Sequence, residues 1–104
     1  MASILFHNRF GAVPGKREAL LQSLLQAGSL MESIAGCQLY LVSTLPADPI
    51  SVWVTEVWDS AEAHSESLKV RGVQKLIQQT IPLIAEMPRN TPRLTLMGGK
   101  GVRG

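Results

Sequence analysis

The chain predicts an α+β domain with the element order β-α-β-β-α-β. Three observations carry this. Alternation of side-chain character over residues 3–13, 37–45 and 51–58 marks strands, because neighbouring residues on a strand point to opposite faces. Apolar residues at three- and four-residue spacings over 16–34, and again beyond 60, mark helices with one buried side. Turn chemistry separates these stretches: Val13-Pro14-Gly15, Pro46-Ala47-Asp48-Pro49 and Asp59-Ser60.

In the first strand Ile4, Phe6, Asn8 and Phe10 point one way, toward the helices, and Leu5, His7 and Arg9 the other. Asn8 is the polar interruption of the more apolar face. The helix over Lys16–Ile34 carries Leu20, Leu21, Leu24, Leu25, Ala27, Met31 and Ile34 as its stripe, with Gly36 as a C-cap. The second strand, Cys37–Leu45, sets Leu39 and Leu41 against Tyr40 and Val42, and forms a hairpin with Ser51–Trp58. The second helix spans 60–71 and is interrupted at Arg71-Gly72. Its stripe resumes through Val73, Leu76, Ile77, Ile81 and Ile84, with Pro82 as a kink or divide, and ends at Met87-Pro88. Arg93–Met97 reads as the last strand. The order is that of the ferredoxin-like, split βαβ arrangement, a four-stranded antiparallel sheet with helices on one face.

With 104 residues this is a single domain, 1–104, whose residues 98–104 form a C-terminal arm. The net charge of +2 is small and the basic residues are scattered, so the stripe that tracks a nucleic-acid backbone is missing. No apolar run approaches the ~20 residues that span a bilayer, and the N-terminal MASILFHNRF is too short in its apolar core for a signal peptide. One cysteine, Cys37, excludes an internal disulfide and fits a reducing compartment, the cytoplasm. Both faces of the sheet are apolar. Leaving the second one bare would expose several hundred Å², so we expect a homodimer packed through the face opposite the helices.

The junction from Ser51 to Leu68 draws the chemistry together. Trp58 ends a strand, and His64 stands on the next helix, four residues after Ser60 and four before Leu68. An imidazole there could take a phenolic proton, or serve as a buried structural histidine. Asn8, among Phe6 and Phe10, offers a polar group to a cavity or anchors the core. Trp58 offers a flat wall to an aromatic ligand, or is core. Glu56 shares its face and is either a base of raised pKa or the partner of a basic residue. Ser67, one turn from His64, could share a hydrogen bond, and Leu68 follows it. No acidic residue completes a hydrolase triad. Gly98-Gly99-Lys100-Gly101 lacks the spacing and following helix of a phosphate loop, and an arm lying on the partner accounts for it better. His7, Cys37 and His64 have no metal-ligand spacing.

The ordered set Val13-Pro14-Gly15-Lys16-Arg17-Glu18, Glu56-Val57-Trp58-Asp59-Ser60 with Ala63 and Leu68, and Met97-Gly98-Gly99-Lys100-Gly101 resembles the antibiotic biosynthesis monooxygenase superfamily of dimeric α/β barrels. Within it, the combination with His64, Ser67 and Pro82-Leu83-Ile84-Ala85 looks most like members assigned as quinol monooxygenases. The resemblance implies a cofactor-independent oxygenase: a quinol, phenol or anthrone is deprotonated, and its anion reduces dioxygen on the way to a quinone. From the residues themselves we expect His64 and Asn8 to be catalytic, with Phe6, Phe10, Trp58, Glu56, Ser67 and Leu68 holding the substrate. Many relatives carry a histidine where this chain has Ser67 and another where it has Gly72. The heme-degrading branch shares Asn8 but has Trp where Ser67 stands and His near Ile77, which argues against heme degradation here.

Two other classes compete with this reading. A non-catalytic barrel that binds a small hydrophobic molecule would use the same aromatics. An RNA-binding module shares the element order but needs a basic aromatic third strand, which Ser51-Val52-Trp53-Val54-Thr55 is not.

Overall fold

The structure is a computed structural model that describes residues 3–102. Its elements run β1 (Ile4–Ala12), α1 (Arg17–Met31), β2 (Cys37–Ser43), β3 (Ser51–Trp58), α2 (Ala61–Ser67), α3 (Arg71–Thr80), a 3-10 turn (Ile81–Leu83), β4 (Ile84–Glu86) and β5 (Leu94–Thr95). The sheet is antiparallel in the order β2-β3-β1-β4, with β5 also pairing β1. This is the ferredoxin-like arrangement, with its fourth strand in two short pieces.

Register decides which side chains share a face. Ile4 lies opposite Trp58, Phe6 opposite Glu56, Asn8 opposite Val54 and Phe10 opposite Val52. Across the hairpin, Tyr40 lies opposite Glu56 and Val42 opposite Val54. These residues form the helix-covered face. Asp48 closes the hairpin by accepting from the Ile50 and Ser51 amides and from Ser51 Oγ at 2.6 Å. The Ser51 hydroxyl first, then the amides, hold its carboxyl below the usual carboxylate range.

Two buried clusters hold the layers together. One joins Leu20 and Leu24 of α1 to Ala12, Val52 and Val54. The other joins Met31 and Val73 to Ile4 and Trp58. The stripe of α1 is narrower than its spacing suggests: Leu20 is fully buried while Leu25 is 45% exposed. Ser23 is buried instead. Thr80 Oγ1 donates to the Leu76 carbonyl, so Ser23 must donate to Thr80, at 2.5 Å, and both polar groups are satisfied.

Several boundaries differ from the sequence reading; β2, for one, ends at Ser43 and not at Leu45. First, α1 stops at Met31, and single turns carry the chain to Gly36, which has φ +90°. Second, the break between the later helices falls at Leu68–Val70, not at Arg71-Gly72. The amides of 68, 69 and 70 bond three residues back, which tightens the chain out of α2. Gly72 then sits in the first turn of α3, where flexibility costs least. Third, Ile84–Glu86 is strand, although its spacing continues a helical stripe. Pro82 occupies the first turn of the 3-10 segment, and Ile84 leaves it extended at ψ 122°. Of the expected strand Arg93–Met97, Leu94–Thr95 pairs opposite Leu5 and Ile4, and the Leu96 amide donates to the Ser3 carbonyl at 2.8 Å.

Gly36 accepts the Asp59 amide at 2.8 Å, and a Cβ there would lie 2.6 Å from Ala63 Cβ. Gly36→Ala is therefore expected to cost at least the ~1–2 kcal/mol of a left-handed residue, and to push α2 from the sheet. Urea unfolding should show a lower midpoint; an unchanged midpoint would mean that the loop relaxes freely.

On the far face Arg9 Nη1 pairs with Glu86 at 2.8 Å and its Nε donates to Ser51 Oγ at 2.7 Å. His7 bonds Thr55 through Nδ1 at 2.9 Å and stacks on Trp53 with ring centres 5.1 Å apart. The same face carries Leu41, 53% exposed and opposite Thr55, and Leu94, 48% exposed and opposite Leu5, with Val57 buried between Leu39 and Leu5. β2 holds one more residue than β3 needs. Cys37 pairs with Trp58 and Leu39 with Val57, so Gln38 is a bulge. Its Nε2 donates to Ser3 Oγ and Asp59 Oδ1, each at 2.8 Å, while Oε1 is buried without a partner. Of the C-terminal arm, Gly101 and Val102 lie beside Cys37 and Gln38 of the same chain; Arg103 and Gly104 fall outside the described residues. No described helix is long and apolar enough to cross a membrane.

Candidate active site

Helices over one face of a sheet leave a gap wherever their connections hold them apart. Here the gap is a cavity of about 490 Å³ between the sheet, α1, α2 and α3, bordered by members of both core clusters. That volume suits a small organic ligand. Apolar side chains make most of the wall. Leu68, Ile77, Ile81 and Met87 are exposed members of that lining.

Asn8, Phe10, Glu56, Trp58, His64, Ser67 and Leu68 all border this cavity. Phe6 does not. It stands behind His64, ring centres 4.8 Å apart, so it buttresses the imidazole. Trp58 meets the same ring edge-on at 5.2 Å. Trp58 is fully buried, so it backs the wall and presents no bare flat face to a ligand.

The local sequence explains why His64 is there. Ser60 caps α2, its hydroxyl accepting from the Ala63 amide at 3.1 Å. One turn on, Ser67 Oγ donates to the His64 carbonyl at 2.6 Å. The hydroxyl thus serves the backbone and leaves the imidazole alone. Among the described residues neither His64 nor Asn8 makes a side-chain hydrogen bond, so both half-buried polar groups are open to a ligand. Burial between Phe6 and Trp58 lowers the His64 pKa; Glu56 opposes this and Arg93 adds to it. His64 is accordingly neutral, and able to accept a proton, at neutral pH.

Glu56 departs from the basic partner expected of it. Its Oε1 accepts the Trp58 indole N–H at 2.9 Å, and the ion pairs among the described residues are Arg9–Glu86 and Lys69–Glu66. Tyr40 is the residue that sequence reasoning passed over. It borders the cavity directly across from Glu56, and burial, then Glu56, raises its phenol pKa, so it stays a neutral hydroxyl. The hairpin register was the available signal, since a turn centred on Asp48 sets Tyr40 opposite Glu56. Cys37 is half-buried, its thiol pushed up chiefly by burial and its S–H directed at the Leu39 carbonyl, which is the behaviour of a small hydrophobe. No cluster of three or more potential metal ligands occurs among the described residues.

The sequence profile of the family described as "Antibiotic biosynthesis monooxygenase" matches residues 3–79. The chain is 36% identical to a protein from Chloroflexus aurantiacus J-10-fl provisionally named as an antibiotic biosynthesis monooxygenase. That match covers 98% of this chain and 100% of the other, with a TM-score of 0.88. A Deinococcus radiodurans protein with the same provisional name is 24% identical over 96% of each chain, TM-score 0.72. A Bacteroides thetaiotaomicron VPI-5482 protein of unknown function, suggested to be an oxidoreductase, is 15% identical. It covers 91% of this chain and 98% of its own, TM-score 0.80. The last two show likeness of fold alone. No curated protein is significantly similar to the chain.

Proposed function

The chain belongs to the antibiotic biosynthesis monooxygenase family, and on that premise we propose that it oxidises a small phenol, anthrone or quinol with dioxygen to a quinone, without a cofactor. One observation supports this above others: the unpaired side chains of His64 and Asn8 meet one apolar cavity. His64 takes the phenolic proton, and Asn8 donates a hydrogen bond to the oxygen that becomes anionic. The electron-rich anion then reduces dioxygen directly. For an anthrone, the ring carbon loses two hydrogens and gains one oxygen atom, and the second oxygen leaves as water. For a quinol, two electrons and two protons pass to dioxygen to give quinone and hydrogen peroxide. The dry wall keeps reactive intermediates from water.

Oxygen uptake with anthrone and with menadiol, followed by mass analysis after ¹⁸O₂ labelling, tests the reading. Quinone formation above the spontaneous rate, with one labelled atom entering anthraquinone, is expected. No enzyme-dependent product from either substrate would leave a binding protein as the better account.

The same reading makes the protein a cytoplasmic homodimer, joined through the sheet face that carries Trp53, Leu41 and Leu94. Light scattering behind size exclusion should give the mass of two chains. Trp53→Arg, which adds charge beside Arg9 on that face, should give one. A wild-type mass of one chain would overturn the dimer.

A further inference from the structure

The cavity's polar groups are unusual in sign. Its lining includes one carboxylate, Glu56, and the amide of Asn8, the phenol of Tyr40 and the imidazole of His64. No lysine or arginine among the described residues borders it. Arg93 influences His64 electrostatically but is exposed and outside the lining. The Glu56 carboxylate is also held in place. The Trp58 indole fixes Oε1 at 2.9 Å, and a fully buried Trp58 cannot swing away with it. Its other oxygen makes no bond to a described residue, and it lies on the cavity side of β3 with Tyr40 facing it across the hairpin.

A fixed negative charge without a cation acts on ligands in two ways. It accepts a hydrogen bond from a hydroxyl, and a charge-assisted bond of this kind is the stronger sort. It also repels a second carboxylate, which would lose water with no cation in the lining to offset its charge. Resting on the reading of the cavity as a phenol-oxidising site, we propose that Glu56 sets substrate charge: the cavity takes neutral hydroxyl-bearing aromatics and rejects aromatic carboxylates of the same size. His64, held neutral by its burial, supplies no compensating positive charge at neutral pH.

Calorimetric titration without turnover tests this, using 1-naphthol, 1-naphthoate and 1-naphthylmethylammonium as probes of one shape and three charges. Wild-type protein should bind 1-naphthoate roughly ten- to hundredfold more weakly than 1-naphthol, as expected for like charges a few ångströms apart in a partly desolvated site. The ammonium probe should bind more tightly than the carboxylate. Glu56→Gln keeps an acceptor for the Trp58 indole and removes the charge, so it should strengthen 1-naphthoate binding and close most of the gap. Equal binding of naphthol and naphthoate by the wild type would overturn the proposal. So would a gap that survives in Glu56→Gln, or failure of all three probes to bind. Should the variant fold poorly, the wild-type order of ammonium and carboxylate decides alone. Tight naphthol binding without oxygen uptake from anthrone or menadiol would sink the oxygenase reading and leave charge selection standing. Quinone formation with no charge preference would do the reverse.

Discussion

Trp58→Ala is expected to lower the unfolding free energy by about 3–5 kcal/mol, the usual cost of removing a buried indole. The side chain is fully buried in the cluster with Ile4, Met31 and Val73, and lies between β1 and β2 at the end of β3. Domains of this size commonly hold about 5–15 kcal/mol in all, so the variant should be partly unfolded at physiological temperature. Part of the loss comes from the carboxylate left behind, because the indole is the donor to Glu56. Trp58→Phe separates the two effects. It keeps most of the buried area and removes the donor, and a loss of about 1.5–3 kcal/mol is expected for a bond to a charged group. Chemical denaturation of both variants provides the measurement. A Trp58→Phe loss close to zero would show that Glu56 gains nothing from the indole.

His64→Gln should reduce kcat by about 10²–10⁴-fold, the range for losing a general base, with KM changed only a few-fold. Glutamine preserves hydrogen bonding but cannot carry a proton away. The pH profile provides the sharper check. The His64 pKa lies below its ordinary 6.5 because burial disfavours the charged ring. Activity should therefore hold as pH falls to 6.5 and decline only below it, as the imidazole becomes protonated. Stability follows the same direction. Below 6.5 the unfolded chain binds the proton first, so the native state loses stability as pH falls through the lowered pKa. Both acid-side declines should flatten in the glutamine variant. An intact kcat, or an acid limb that persists without His64, would remove it from the chemistry.

How much of this the sequence carried depends on the range of the interactions involved. Period two set the faces of β1 and β3 correctly, since alternation is a local property of the chain; Asn8, Glu56 and Trp58 follow from it. The cap at Ser60 placed His64 over the sheet by equally local rules. The far wall was harder to read. Thr80 and Ile77 reach the cavity only because the chain breaks at Leu68–Val70 and Pro82 ends the following helix. A helical stripe continues across both breaks, so the sequence reading set the first a few residues late, at Arg71-Gly72, and read Pro82 as a kink or divide without the strand that follows it. Phe6 illustrates a different limit: its face was legible, but its position behind His64, and not beside a ligand, depends on packing between elements. Tyr40 was missed because pairing across a hairpin joins residues that no single-stretch pattern connects.

Gln38 gives the chain a place where its length is adjustable. Because the bulge supplies two residues opposite one, removing Gln38 would leave Cys37 against Trp58 and Leu39 against Val57, an ordinary alternation. Inside the strand beyond the bulge that freedom ends: a residue lost from the regular ladder changes which face the neighbours of Tyr40 share with β3, unless the bulge itself absorbs the change, as it could for Leu39. The extra residue earns its keep as a clasp, tying Ser3 to Asp59 across three strand ends. A homologous strand shorter by one residue at this point could keep the same cavity wall, with a looser seam beneath it.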